Sequence, residues 1–242
     1  MARKKLTIPG PDDEGESWSE TNDKLGFEFL FEFQAMVREL EEMESVVDVE
    51  YELGDPVSNF TVETLEHGLG KTVPRFVKRL YSVADGIHLR WNLLEDGEIV
   101  PGGGIELFDF ATVFDTWLEG LWTTDEALTA EEEDFLWTLR GFDGGVEPGG
   151  ERMVAVCVED VDYPTFDLFL HDATSHQSHL VSVDFRTYLQ CLLDTRGTYG
   201  WVHALAESTG ESPAWMRRWS EHFFRRMEAH FPDVELDRFE EG

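Results

Sequence analysis

The sequence predicts a protein of mixed helices and strands, and three stretches carry that prediction. Between residues 73 and 84, Val73, Phe76, Val77, Leu80, Tyr81 and Ala84 fall three or four apart, the spacing of one helix face. Immediately afterwards the period changes: Ile87, Leu89, Trp91 and Leu93 alternate with His88, Arg90 and Asn92, as in a half-buried strand. Further on, 152–158, 165–171 and 179–183 read as three strands separated by turn-like residues, followed by a helix in DFRTYLQCLLDTRG.

The remaining elements follow in chain order. Residues 1–24 are polar and hold Pro9 and Pro11, so they read as a loose leader ahead of a single domain spanning 25–242. Residues 27–44 are helical: Phe29, Phe33, Met36, Leu40 and Met43 share a face, and Phe27, Leu30 and Phe31 are expected to widen it. A short strand follows, with Val47, Val49 and Tyr51 set against acids. Residues 61–70 predict a helix capped by Thr61 and ended at Gly68 or Gly70, and Pro74 suits the first turn of the next one. Asp85-Gly86 ends that helix. After the strand at 87–93, Glu95-Asp96-Gly97 predicts a turn, then a strand at 98–100, the run PGGG, and a further strand at 105–108. Residues 111–122 are helical again. The segment 123–150 is acidic, holds a predicted helix at 131–140 and reads as an insertion. Asp184 is the expected N-cap of the late helix and Gly197 its stop, and a last helix runs from about Pro213 to His230.

Charge sets this chain apart. It has 242 residues with 51 acids against 19 Lys and Arg, a net charge of −32. A core is nevertheless available, because 41% of residues are hydrophobic and aromatics are plentiful, which a disordered chain of this charge would not show. Direct binding to nucleic acid or anionic lipid is disfavoured, since a phosphate binder needs cations to displace counterions. A basic partner or mimicry of a polyanion is favoured; solubility and a saline habitat are the plainer explanations. Residues 11–66 hold 18 acids and only two cations, Lys24 and Arg38. This block reads either as a solvated helix face or as a docking surface. The candidate docking residues are Glu41, Glu42, Glu44, Asp48 and Glu50, with Glu159, Asp160 and Asp162 as a candidate partner-facing loop. A basic stripe, Lys71, Arg75, Lys78 and Arg79, is placed to pair with the acidic block.

The order of these elements resembles the SUKH superfamily, which includes fungal cell-wall-assembly regulators and many bacterial immunity proteins of polymorphic toxin systems. The resemblance rests on Val73-Pro74, Phe76 and Asp85-Gly86 at a helix end, on Trp91 in the following strand, and on a Gly-rich strand leading into IELFDFATVFDTW. It continues in Asp184, Phe185, Leu192 and Leu193, and in Tyr199-Gly200-Trp201. It covers about 58–201, interrupted at 123–150, with helical extensions at both ends. The resemblance implies an α+β fold, a mainly antiparallel sheet flanked by helices. It also implies a binder, not an enzyme: an immunity protein that sequesters a cognate toxin, with a regulatory adaptor as the alternative. Pro74, Asp85, Gly86, Trp91, Asp184, Phe185, Gly200 and Trp201 are expected to be structural.

Other signals carry less. HGLGKT at 67–72 has the end of a phosphate loop, but Leu65 stands where its first glycine belongs. His171, His176 and His179 lie near Asp172, yet alternate side chains of a strand–turn–strand diverge, so a polar hairpin is expected rather than a metal site. No cofactor is expected. Cys157 and Cys191 sit in apolar runs and read as buried free thiols. Trp215, Trp219 and Phe223 form a packing stripe on the last helix, which also carries Arg217, Arg218, Arg225 and Arg226. The basic start lacks an apolar region of the signal-peptide kind, and no stretch approaches 18 apolar residues, so a cytoplasmic protein is expected.

Overall fold

A computed structural model describes residues 18–115, 128–158, 167–206 and 212–240, with side chains from 26 to 239 within them. The chain is α+β. Seven strands form one antiparallel sheet in strict chain order, β1 (Val46–Leu53), β2 (Ile87–Glu95), β3 (Glu98–Leu107), β4 (Leu139–Asp143), β5 (Arg152–Cys157), β6 (Leu168–Asp172) and β7 (Gln177–Val181). Around it lie α1 (Trp18–Glu42), α2 (Asn59–Leu69), α3 (Arg75–Tyr81), α4 (Phe110–Phe114), α5 (Ala130–Thr138), α6 (Phe185–Asp194), α7 (Trp201–Leu205), α8 (Ala214–His230) and α9 (Asp237–Glu240).

Local signals set several boundaries. Asp184 caps α6 by accepting from the Thr187 N–H at 2.8 Å. β2 alternates as its sequence demands, with Ile87, Leu89, Trp91 and Leu93 buried. Helix α8 begins just after Pro213 and ends at His230. α2 instead starts at Ser58, whose hydroxyl accepts from the Thr61 N–H at 3.1 Å, and it closes at left-handed Gly70. α3 stops at Tyr81, before Asp85-Gly86; Gly86, at φ 94°, turns the chain into β2. α1 reaches back to Trp18, so 18–24 belong to a helix and not to a leader.

Three corrections have clear causes. PGGG does not separate two strands: β3 runs continuously through Pro101–Gly104, paired with β2, and the Trp91 ring occupies the space beside its glycines. A Cβ on Gly102 would collide with that ring, and one on Gly103 would sit 2.6 Å from it. The extra residue is absorbed where the register slips between Trp91 and Asn92. Residues 139–150 are also built into the sheet rather than appended to it, since β4 is the middle strand and Phe142, Asp143, Val146 and Glu147 are buried. Finally, Phe27 and Phe31 do not widen the inner face of α1; they point outward, 68% and 70% exposed.

The main core lies between one sheet face and the helices, with Trp91, Phe110, Phe142, Phe185, Tyr188 and Trp201 at its centre. A smaller cluster, Leu136, Leu139, Ala155 and Cys157, packs α5 on the opposite face of β4 and β5. The seam between β3 and β4 is narrow, with Leu107 and Asp143 its one register pair. Asp143 stitches it: the buried carboxylate accepts from Glu106 N–H at 3.1 Å, Gly145 N–H at 2.8 Å and Tyr188 O–H at 2.8 Å. Burial raises its pKa despite those hydrogen bonds.

Candidate functional site

The acidic corner is built where α1 turns into β1. The helix ends with Glu41 and Glu42, and the Val46 N–H donates to the Met43 carbonyl at 3.1 Å, reversing the chain within a few residues. Val46 is buried and pairs with Leu93, which fixes the register of β1. The strand then bulges: Asp48 takes φ 53° and the register shifts between Val47 and Glu50. Glu41, Glu42, Glu44, Asp48 and Glu50 are all exposed, and Glu52 joins them. Asn92 donates to Asp48 at 3.2 Å, and Arg196 reaches Glu39 at 3.1 Å.

β1 is the first strand of the sheet, so its outer edge is unpaired among the described residues. Bulges and charges on such an edge guard it against adding foreign strands. That guarding role accounts for Asp48, Glu50 and Glu52 without any partner. It does not account for Glu41, Glu42 and Glu44, which lie on the helix and the turn. Those three extend the negative surface beyond what the strand requires.

A second cluster of charge is buried. Arg152 Nη1 contacts both Glu147 oxygens at 2.8 and 2.9 Å, its Nη2 lies 3.4 Å from Asp172, and its guanidinium stacks 4.1 Å over the Trp215 ring. His203 Nε2 is 3.5 Å from Glu147, and its ring packs against Trp215 and Trp219. Burial pushes the Glu147 carboxyl up, but the close approach of His203 and the hydrogen bonds and charge of Arg152 outweigh it and hold it low. Asp172 is held low in the same way, by the Thr174 and Ser175 N–H groups and Arg152. Burial lowers His203, against the pull of Glu147. The residues are spread from 147 to 215 in sequence, so no local motif announces them. Trp215 and Trp219 cover the cluster, which gives it the character of an internal strut.

The histidine hairpin is a polar turn. His171 is buried and bonded to Ser178 Oγ at 3.0 Å, while burial pulls its pKa down to about 4. His176 sits in the turn at φ 56°. Among the described residues no group of three or more His, Cys, Asp or Glu side chains is placed to hold a metal. HGLGKT spans the last residues of α2, its left-handed cap at Gly70 and the two residues beyond. Lys78 of the basic stripe pairs with Glu66, the last acid of the block, at 2.9 Å. Arg226 is not part of an outer basic patch; it is buried, bonded to Glu95 at 3.1 Å and to the Pro101 carbonyl. Both cysteines are free and buried.

Pro74 precedes α3, and the Phe76 ring packs tilted against Phe185 at 5.4 Å, tying α3 to α6. The Asp85 carboxylate accepts from the Phe110 N–H at 2.6 Å, seating α4. Trp91 Nε1 donates to the Arg196 carbonyl at 2.9 Å. Gly200, at φ 98°, has no room for a Cβ against the Trp219 carbonyl, and Trp201 packs on Tyr188 at 4.8 Å. Glu159, Asp160 and Asp162 lie outside the described residues. No helix among the described residues is long and apolar enough to cross a membrane. Neither the comparison with protein-family models nor that with curated proteins finds a match for this chain.

Proposed function

We propose that the chain is a non-catalytic binding protein of the SUKH kind, an immunity protein that sequesters a cognate basic toxin. The supporting observation is the acidic corner. Glu41, Glu42 and Glu44 are exposed beside the edge acids Asp48 and Glu50, in a chain of net charge −32. A negative surface of this kind steers a cationic partner toward itself and competes with nucleic acid for a basic cleft. A nuclease domain is the kind of toxin whose cleft fits that description.

The test is calorimetry of the purified chain with the inactivated product of the adjacent gene, at two salt concentrations. Tight one-to-one binding that weakens with salt is the expected result, because rim charges act through a screened field. Binding that Glu41→Lys/Glu42→Lys/Glu44→Lys leaves unchanged removes the acidic corner from the account. Absence of binding moves the reading to a regulatory adaptor that joins cellular partners without a toxin.

A further inference from the structure

Helix α1 is apolar on two sides. Its inner side, Phe29, Phe33, Met36, Val37 and Leu40, is buried. Gly26 lies on that side too, where a Cβ would collide with the Arg79 carbonyl of α3, so the close approach of the two helices fixes which way α1 faces. Phe27 and Phe31 are therefore turned outward as a ridge, with Leu30 half-buried beside them and Glu28, Glu32 and Gln34 around them. A helix in a folded chain rarely keeps two aromatic rings in water unless something covers them.

Helical geometry ties this ridge to the acidic corner. Eleven residues separate Phe31 from Glu42, about three turns, so the two lie on the same side of α1 roughly 16 Å apart. A standard interface of about 800 Å² per partner spans both. Arg38 lies between them, flanked by the acids Glu39, Glu41 and Glu42.

We propose that Phe27 and Phe31 are the apolar anchors of the docking surface, and that their occupant is a basic protein presenting an apolar groove rimmed by Lys or Arg. This rests on the binding-protein reading above and adds to it the anchor and the kind of groove that receives it. Charge complementarity selects this occupant. A second copy of the chain would set Glu28 and Glu32 against their own counterparts, with −32 on each molecule. Aromatic side chains at the centre of an interface, surrounded by charge at its rim, are where binding energy concentrates.

The experiment uses two short cationic peptides of equal charge. One places Leu at helical i, i+3, i+4, i+7 spacing among lysines; the other has Ser at those positions. The full chain and its Phe27→Ser/Phe31→Ser variant are titrated with each, with Phe60→Ser as a control at another exposed ring and a thermal melt confirming the fold. The Leu peptide is expected to bind about tenfold tighter than the Ser peptide, and the double variant to abolish that preference while Phe60→Ser keeps it. Equal affinities, unchanged in the double variant, overturn the ridge and leave docking by charge alone. Failure of both peptides to bind at low salt overturns the acidic docking reading as well. A dimer in sedimentation that the double variant dissolves overturns the choice of occupant in favour of a second copy.

Discussion

The acidic corner and the Glu147–Arg152–Asp172 cluster use the same carboxylates to opposite ends. In the corner, Glu41, Glu42 and Glu44 are exposed to water. In the cluster, Glu147 and Asp172 are buried and stay charged because Arg152 and nearby N–H groups hold them. An acid's role here is set by what faces it, and 51 acids counted along the sequence say little about that. The corner is free to answer a partner. The cluster is committed to the fold.

The sharpest way to break this contrast is Arg152→Met. It strands Glu147 and Asp172 as buried unpaired acids, and a loss of about 3–5 kcal/mol in urea unfolding is expected. Acidification is the next lever. His171 is held neutral in the folded chain, with its pKa down at about 4, while the unfolded chain protonates it near 6.5. Protons therefore favour unfolding, and His171 costs up to about 3 kcal/mol of stability as pH falls from about 6.5 to about 4. The check is the same pH series on His171→Gln, which is expected to lose less stability over that interval. Asp143→Ala comes third, at about 1–3 kcal/mol, because it leaves the Glu106 and Gly145 N–H groups and the Tyr188 hydroxyl without their acceptor. The smallest effect is expected in the corner. Glu41→Lys/Glu42→Lys/Glu44→Lys should change stability by no more than about 0.5 kcal/mol per site, while association with the proposed basic partner slows and its salt dependence becomes shallower.

The sequence was most legible where one element contains its own cause. Asp184 caps the helix that begins at the next residue, and the alternation of β2 needs nothing beyond β2. It was least legible where the cause lies elsewhere in the chain. β3 runs through PGGG paired with β2, and Trp91 of that neighbouring strand occupies the space beside those glycines. β4 reads LRGFD, too short and too polar to show alternation, and its place depends on the seam at Asp143. Arg226 turns inward because Glu95, far away in sequence, waits beside it. The candidate site divides the same way. Exposure of the corner acids followed from their density along the chain. The outward turn of Phe27 and Phe31 did not, since spacing shows which residues share a helix side but not which of two apolar sides meets the core.

The strand order has a kinetic consequence. Every strand of this sheet pairs with its neighbour along the chain, so each pairing closes a loop within the chain order and none requires a crossover between distant strands. Two blocks, β1–β3 and β4–β7, are expected to zip independently from their own turns. The narrow seam joins them afterwards, once Trp91 finds the Arg196 carbonyl and Asp143 finds its three donors. In a refolding experiment strand content should then develop before Trp91 is sequestered, and the interval between the two signals would be the lifetime of a half-assembled sheet.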